Sequence, residues 1–253
     1  MNRSTVLGCE IDRLTMDATL DRCEEIISRG MPEQHVVVNA AKLTMMRKDP
    51  KLRAIVRNCA LVNADGQAVV WASRLLGDPL PERVAGIDLM LRLLERAEAH
   101  GYRIFVLGAR EHVLRRAVAQ LRDCYPRLVI AGARNGYFDE SESAEICDQI
   151  RSSRADILFV AMSSPKKEYW IAENRALLGT PFSMGVGGAI DVIAGVTARA
   201  PLWVQKVGLE WLFRLLQEPP RLARRYVVTN AQFVWLLAAE VMRRRVFGRP
   251  ATC

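Results

Sequence analysis

The chain has 253 residues, a mass of 28.4 kDa and a formal net charge of +8, with half of its residues hydrophobic and a quarter charged. That balance excludes disorder, collagen and coiled coil as descriptions of the whole chain, and the length suits one domain or a domain with an appendage. The charge is uneven: residues 199–253 hold ten basic and three acidic side chains, a net +7, which leaves +1 for residues 1–198.

The six cysteines (Cys9, Cys23, Cys59, Cys124, Cys147, Cys253) are scattered without C-x-x-C spacing, so they read as reduced thiols of a cytosolic protein. The opening MNRSTVLGCE becomes charged before an apolar core can develop, which argues against a secretory signal. Tyr226 to Met242 is the nearest thing to a membrane span, and Thr229, Asn230, Gln232 and Glu240 interrupt it. The expectation is a protein that is soluble or lies on a membrane without crossing it.

Along the chain, short β-branched runs alternate with helical periods. The segments 36–39 (VVVN), 60–64 (ALVNA), 103–108 (RIFVLG), 127–133 (RLVIAGA), 156–162 (DILFVAM) and 181–187 (PFSMGVG) read as buried strands. Between them lie amphipathic stretches such as GIDLMLRLLERAEAHG, where Leu89, Leu93, Leu94 and Ala97 share a face. Continuously apolar strands separated by helices imply an α/β fold with a mostly parallel sheet covered on both faces, the architecture that the family resemblance given below extends to Rossmann-like. From Pro201 the alternation stops. WVQKVGLEWLFRLLQ places Trp203, Val207, Trp211, Leu212 and Leu215 on one stripe, Pro219-Pro220 breaks the helix, and a second helix follows from about Arg221 to Phe247. The expected division is an α/β body over 1–198, the catalytic domain if the resemblance given below holds, and a basic, aromatic-rich helical appendage over 199–253.

Ligands of such sheets bind beyond the carboxyl ends of the strands. That rule places Asn39, Asp65, Gly108, Asn135 to Tyr137, Ser163 to Lys167 and Gly185 to Asp191 on one rim. In GVGGAID (185–191), Gly187 and Gly188 could bring backbone N–H groups to a phosphate, or could simply form a tight strand–helix turn. The segment is neither G-x-G-x-x-G nor a Walker A loop. Asp65, in NADG, is either a helix N-cap or a carboxylate placed as a general base. Arg83, in the Pro-stiffened loop PLPERV, is either a solvated charge or a clamp for a diphosphate or an acceptor. His35, His100 and His112 show no metal spacing, and no Asp-x-Asp occurs, so Arg, Lys and helix N-termini are the expected neutralisers of any bound diphosphate.

Several segments together resemble one family: VNAAKLTMMRKDP, ALVNADGQAVVWASRLLGDPLPERVAGIDL, NGYF, SSPKKEYWI and GVGGAIDVIAGVTARAPLWVQKVGLEWLFRLLQEPPRLARRY. They look like the WecG/TagA/CpsF glycosyltransferases of bacterial envelope and exopolysaccharide synthesis, over roughly residues 5–245. The resemblance implies an inverting, metal-independent transferase without a cofactor. Its donor would be a UDP-sugar of the N-acetylmannosamine, uronate or glucose type. Its acceptor would be a polyprenyl-diphosphate-linked sugar at the cytoplasmic face of the membrane.

The resemblance also assigns residues. Asp65 matches the proposed general base, and Asn39 and Arg83 match polar positions of the same pocket. Tyr137 and Asp191 match positions for the uracil and ribose end, with Gly187 and Gly188 at the diphosphate, while Gly108 and Lys167, placed by the strand-end rule, are expected on the nucleotide-sugar side. Arg214, Arg221 and Arg224 match tail arginines that close over the site and meet leaving-group or lipid phosphates. Two departures stand out. Val37-Val38-Asn39 occupies a frequent Thr-x-Asn, and Pro165-Lys166-Lys167-Glu168 a frequent P-K-Q-E, so Lys167 could favour an anionic donor or contact a diphosphate.

The basic, Trp-rich tail also suits an anionic membrane surface, although core packing of Trp203, Trp211 and Trp235 explains the same spacing. No base-reading motif supports a nucleic-acid partner, and a homo-oligomer is compatible with the chain. Two other function classes remain: a nucleotide-binding oxidoreductase, against which the missing third glycine counts, and a non-enzymatic membrane-docked scaffold of a polysaccharide synthesis complex.

Overall fold

In the computed structural model, residues 2–206, 208–217 and 219–247 are described, without the side chains of residues 206, 221, 222, 224–226 and 247. The expected sheet is there. Its strands are β3 (Glu33–Val38), β4 (Leu61–Ala64), β5 (Arg103–Gly108), β6 (Val129–Arg134), β7 (Ile157–Ala161) and β8 (Phe182–Gly185). All six run parallel, in the order β4-β3-β8-β7-β5-β6.

Successive strand residues face opposite layers, which is why the strands read as unbroken apolar runs. Ile104, Val106, Ile157 and Phe159 pack with α1 (Met16–Arg29), α5 (Gly86–His100) and α6 (Glu111–Cys124). Phe105, Leu107, Leu158 and Val160 face α7 (Ser143–Ser152) and α8 (Lys166–Leu178). Val36, Val38, Val62 and Ala64 pack on that same side with α2 (Ala40–Lys48), α3 (Pro50–Arg57) and α4 (Gln67–Leu75). Leu89, Leu93, Leu94 and Ala97 of α5 are all fully buried, as their spacing predicts.

The periodicity does not reveal an antiparallel hairpin, β1 (Arg3–Val6) with β2 (Cys9–Asp12). Strands of four residues leave little alternation to detect, and the turn is Leu7-Gly8 rather than the Asn-Gly or Asp-Gly that marks such hairpins. Asp12 fastens it: its carboxylate accepts from Arg3 Nε at 2.9 Å and from the Val62 N–H at 2.8 Å.

Beyond β8 come α9 (Ala189–Ile193), α10 (Leu202–Lys206), α11 (Glu210–Gln217) and α12 (Pro219–Phe247). The single stripe expected across 203–215 is two helices, because Gly208 takes a left-handed conformation (φ 75°) and ends the first. Val207, part of that stripe, lies outside the described residues. The prolines open α12 instead of merely separating two helices, since a helix's first turn needs no N–H donors. α12 rests on the β3–β4 side of the molecule, where Phe233 is buried and Leu236, Leu237 and Val241 are partly buried. Arg244 donates to Leu76 O at 2.8 Å and to Thr5 O at 3.3 Å.

Truncating Phe233 to Ala should weaken this docking by about 3 kcal/mol, the usual cost of deleting a buried ring. Amides across 227–247 should then lose on the order of a hundredfold in hydrogen-exchange protection, while those of β5 and β7 keep theirs.

Candidate active site

The rim is built by the places where the strands end. In sheet order it presents Asp65 after β4, Asn39 after β3, Gly185 to Asp191 from the end of β8, Ser163 to Lys167 after β7, Gly108 at the end of β5 and Asn135 to Tyr137 after β6. Each position that the strand-end rule named therefore lies at the carboxyl edge.

The β3 end is organised by Asn39, which caps α2 by accepting the Lys42 N–H at 3.0 Å. One helical turn on, Lys42 Nζ turns back under the rim and donates to Val37 O and to Glu168 Oε1, both at 2.7 Å. Glu168 Oε1 also accepts from Ser164 Oγ at 3.0 Å, and Lys167 Nζ donates to that hydroxyl at 2.9 Å while lying 3.6 Å from the carboxylate. Lys42, Lys167 and Glu168 are all buried. Burial alone pushes the Glu168 carboxyl up, but the ammonium groups of Lys42 and Lys167 outweigh it and hold the group below the ordinary range. Burial, followed by repulsion from Lys42, brings the Lys167 ammonium down to about 8.

Lys167 lies directly under the glycine turn. A Cβ on Gly185 would come within 2.7 Å of the Lys167 Cδ and Cε atoms, so only glycine lets this side chain pass. Its Nζ is 3.4 Å from the place a Gly187 Cβ would occupy. The Lys167 charge thus sits beside the glycine turn. Val37 is buried against Gly86 of α5.

Asp65 is not an N-cap. Gly66 takes that position of α4, without a side-chain capping bond. The Asp65 carboxylate is half-buried and hydrogen-bonds to no described group. Burial, then the nearby Glu210 carboxylate, raise its pKa, against the opposing charges of Arg83, Arg214 and Lys42. Arg83 Nη1 donates to Glu210 Oε2 at 3.0 Å, which fixes the PLPERV loop to the first turn of α11. One turn later Arg214 is exposed, with Nη2 3.5 Å from the place a Gly188 Cβ would occupy. The side chains of Arg221 and Arg224 lie outside the described residues.

At the far end of the rim, Gly108 (φ 131°) must be glycine, because a Cβ there would approach Ala161 O to 2.4 Å. An open cleft of about 320 Å³ follows, lined by Arg110, Glu111, Asn135 and the exposed Tyr137. Arg110 Nε is 3.5 Å from Tyr137 Oη, and its charge feels Asp191. Four polar groups escaped the sequence reading: Lys42, Glu168, Arg110 and Glu210. Arg110 carried a faint signal, as a basic residue just past a strand. Lys42 and Glu168 stand 126 positions apart, and no local pattern joins them.

The fold and rim define a class: a doubly covered parallel α/β sheet whose carboxyl edge gathers carboxylates, several Lys and Arg cations and a glycine turn. The description "Glycosyl transferase WecG/TagA/CpsF family" matches residues 4–246, and the chain belongs to that family. It is a glycosyltransferase. It is 35% identical over 177 residues to the N-acetylglucosaminyldiphosphoundecaprenol N-acetyl-beta-D-mannosaminyltransferase of Bacillus spizizenii, a match covering 70% of this chain and 68% of that protein.

The depressed Lys167 titration has a thermodynamic signature. Below pH 8 the buried ammonium destabilises the folded state. As pH rises from about 8 towards the unfolded value near 10.5, that cost disappears, because the native protein releases its proton first. Unfolding free energies of wild type and Lys167→Met, measured by urea from pH 7 to 10, should therefore diverge above pH 8. Wild type should gain relative to the variant, with a slope of at most about 1.4 kcal/mol per pH unit.

Proposed function

We propose that the chain transfers a sugar of the N-acetylmannosamine type from a UDP-sugar to an N-acetylglucosamine-bearing polyprenyl diphosphate, with inversion and without a metal. The observation that carries the reading is the isolated Asp65 carboxylate, without a hydrogen-bond partner among the described residues and ringed by Arg83, Lys42 and Arg214 beside the glycine turn. Asp65 takes the proton of the acceptor hydroxyl as its oxygen attacks the anomeric carbon, and the UDP departs from the opposite face. Its raised pKa makes it the stronger base once ionised. The family membership and the activity in the relative's name support this donor and acceptor class.

Charge on the leaving diphosphate is met by the backbone N–H groups of Gly187 and Gly188, by Lys167 below them and by Arg214 above. Asn39 and Arg83 hold the acceptor side. The nucleoside end lies in the cleft of Tyr137 and Arg110, with Asp191 nearby. The cations at the rim are Lys and Arg, and on this reading they carry the charge of the leaving group. The uronate and glucose-type donors remain arms of the same assay.

The tail supports a peripheral position on the inner membrane face. Val227, Val234, Trp235, Ala238, Met242 and Val246 fall on the outward side of α12, opposite Phe233. Trp203 on α10 and Trp235 are each 69% exposed, and Arg243 and Arg245 accompany them. An apolar helix face with flanking cations suits an anionic interface. Among the described residues no helix is long and apolar enough to cross a membrane. Residues 199–253 are on this reading the membrane-binding and site-closing appendage of a catalytic body over 1–198.

In an assay of UDP-sugars with a defined lipid-diphosphate-sugar acceptor, Asp65→Ala should lower turnover by at least about a hundredfold. Its UDP affinity by calorimetry should stay within about threefold of wild type. Near-normal turnover would remove Asp65 as the base. Replacing Trp203 and Trp235 together by Ser should lower partitioning onto vesicles rich in anionic lipid by tenfold or more, with UDP affinity retained; equal partitioning would refute the membrane face.

A further inference from the structure

The Arg83–Glu210 ion pair joins two parts of the site that the chemistry uses separately. Arg83 belongs to the loop between α4 and α5, while Glu210 opens α11 in the tail. Both side chains are mostly covered, 16% and 23% exposed, so the contact is shielded from the solvent that weakens most surface pairs. Glu210 and Arg214 are one helical turn apart and share a face of α11. Fixing Glu210 at one end of that turn therefore fixes where Arg214 falls, which is over Gly188. The turn before α11 is held as well: a Cβ on Gly208 would meet Gln67 at 2.8 Å and Trp71 at 3.5 Å, both on α4 just past Asp65.

We propose that Glu210 is a positioning residue of this transferase: by pairing with Arg83 it sets the register of α11, so that Arg214 stands over the glycine turn that receives the donor diphosphate. Glu210 itself touches no substrate. The proposal rests on the glycosyl-transfer reading for the role of Arg214, and on the helix geometry alone for the docking of α11. It also gives Arg83 a definite state when no acceptor is bound, with its guanidinium already oriented.

Full-length variants test it. Glu210→Ala removes the pair. Amides across 209–217 should then exchange at least tenfold faster, and kcat should fall by about tenfold while the donor KM and UDP affinity change less than threefold. The double variant Glu210→Ala/Arg214→Ala should be no slower than Arg214→Ala alone, because a misplaced Arg214 has already lost its effect. Glu210→Gln keeps the shape and removes the charge.

The charged groups that face Asp65 are Lys42 from α2, Arg83 from the loop, Lys167 from α8, and Glu210 and Arg214 from α11. Removing the one neighbouring carboxylate should move the acid limb of the kcat/KM profile to lower pH, which a purely structural tether would not do. Unchanged exchange in Glu210→Ala, additive losses in the double variant or an unmoved acid limb would each overturn the proposal while leaving the transferase reading intact. If wild type transfers no sugar yet Glu210→Ala loosens 209–217, the docking of α11 by Glu210 holds and the transferase reading falls.

Discussion

The site depends on one buried ion pair. Lys42 follows β3 and Glu168 follows β7, and β8 runs between those strands, so the 2.7 Å contact between them bridges three neighbouring strand ends. A buried pair of this kind gains little net stability over apolar packing, but loss of one partner strands the other charge without compensation. Here the pair carries further duties. Lys42 also satisfies Val37 O, and Glu168 organises Ser164 and, through it, Lys167. The glycine turn then closes over Lys167, which is why Gly185 has no room for a side chain.

This arrangement puts cations beneath the rim rather than only on a solvent-exposed basic patch. Two lysines share one carboxylate beneath the surface, so an ammonium charge is left facing the turn and Asp65. The arginines approach from above, Arg83 from a Pro-stiffened loop and Arg214 from the tail. A doubly negative diphosphate entering between these layers would find cations on both sides, held by covalently distant parts of the chain. Val37 and Lys167 have unequal weight in this setting. Val37 is absorbed into packing against Gly86, whereas Lys167 changes the charge of the floor.

What could be read directly from the residues was whatever repeats locally. Six apolar runs became the six parallel strands, and the Leu89, Leu93, Leu94, Ala97 stripe became the buried side of α5. The rule that ligands lie beyond strand carboxyl ends then placed Asp65, Asn39 and the glycine turn on one edge. Features fixed by tertiary context were not readable. The β1–β2 hairpin is too short to show a period, and Gly208 splits a stripe that looks continuous because a left-handed glycine leaves the hydrophobic spacing nearly intact. Asp65 in NADG has the local appearance of a cap. Only the position of Gly66 at the start of α4 shows that the carboxylate is free of that duty. Glu210 looked like one of three acids in a basic tail, and its meaning comes from a loop 127 residues earlier.

Arg244 has a mechanical consequence. By gripping Thr5 O and Leu76 O, it ties the last turns of α12 to the first strand, across 239 positions of chain. The hairpin and the long helix are peripheral elements that would otherwise fray independently. Joined by one guanidinium, they form a single cooperative unit: peeling the helix from α2 also loosens the hairpin, whose Asp12 anchors the edge strand β4 through the Val62 N–H. The edge of the sheet nearest the proposed base is thus guarded against local unfolding by the part of the chain farthest from it in sequence.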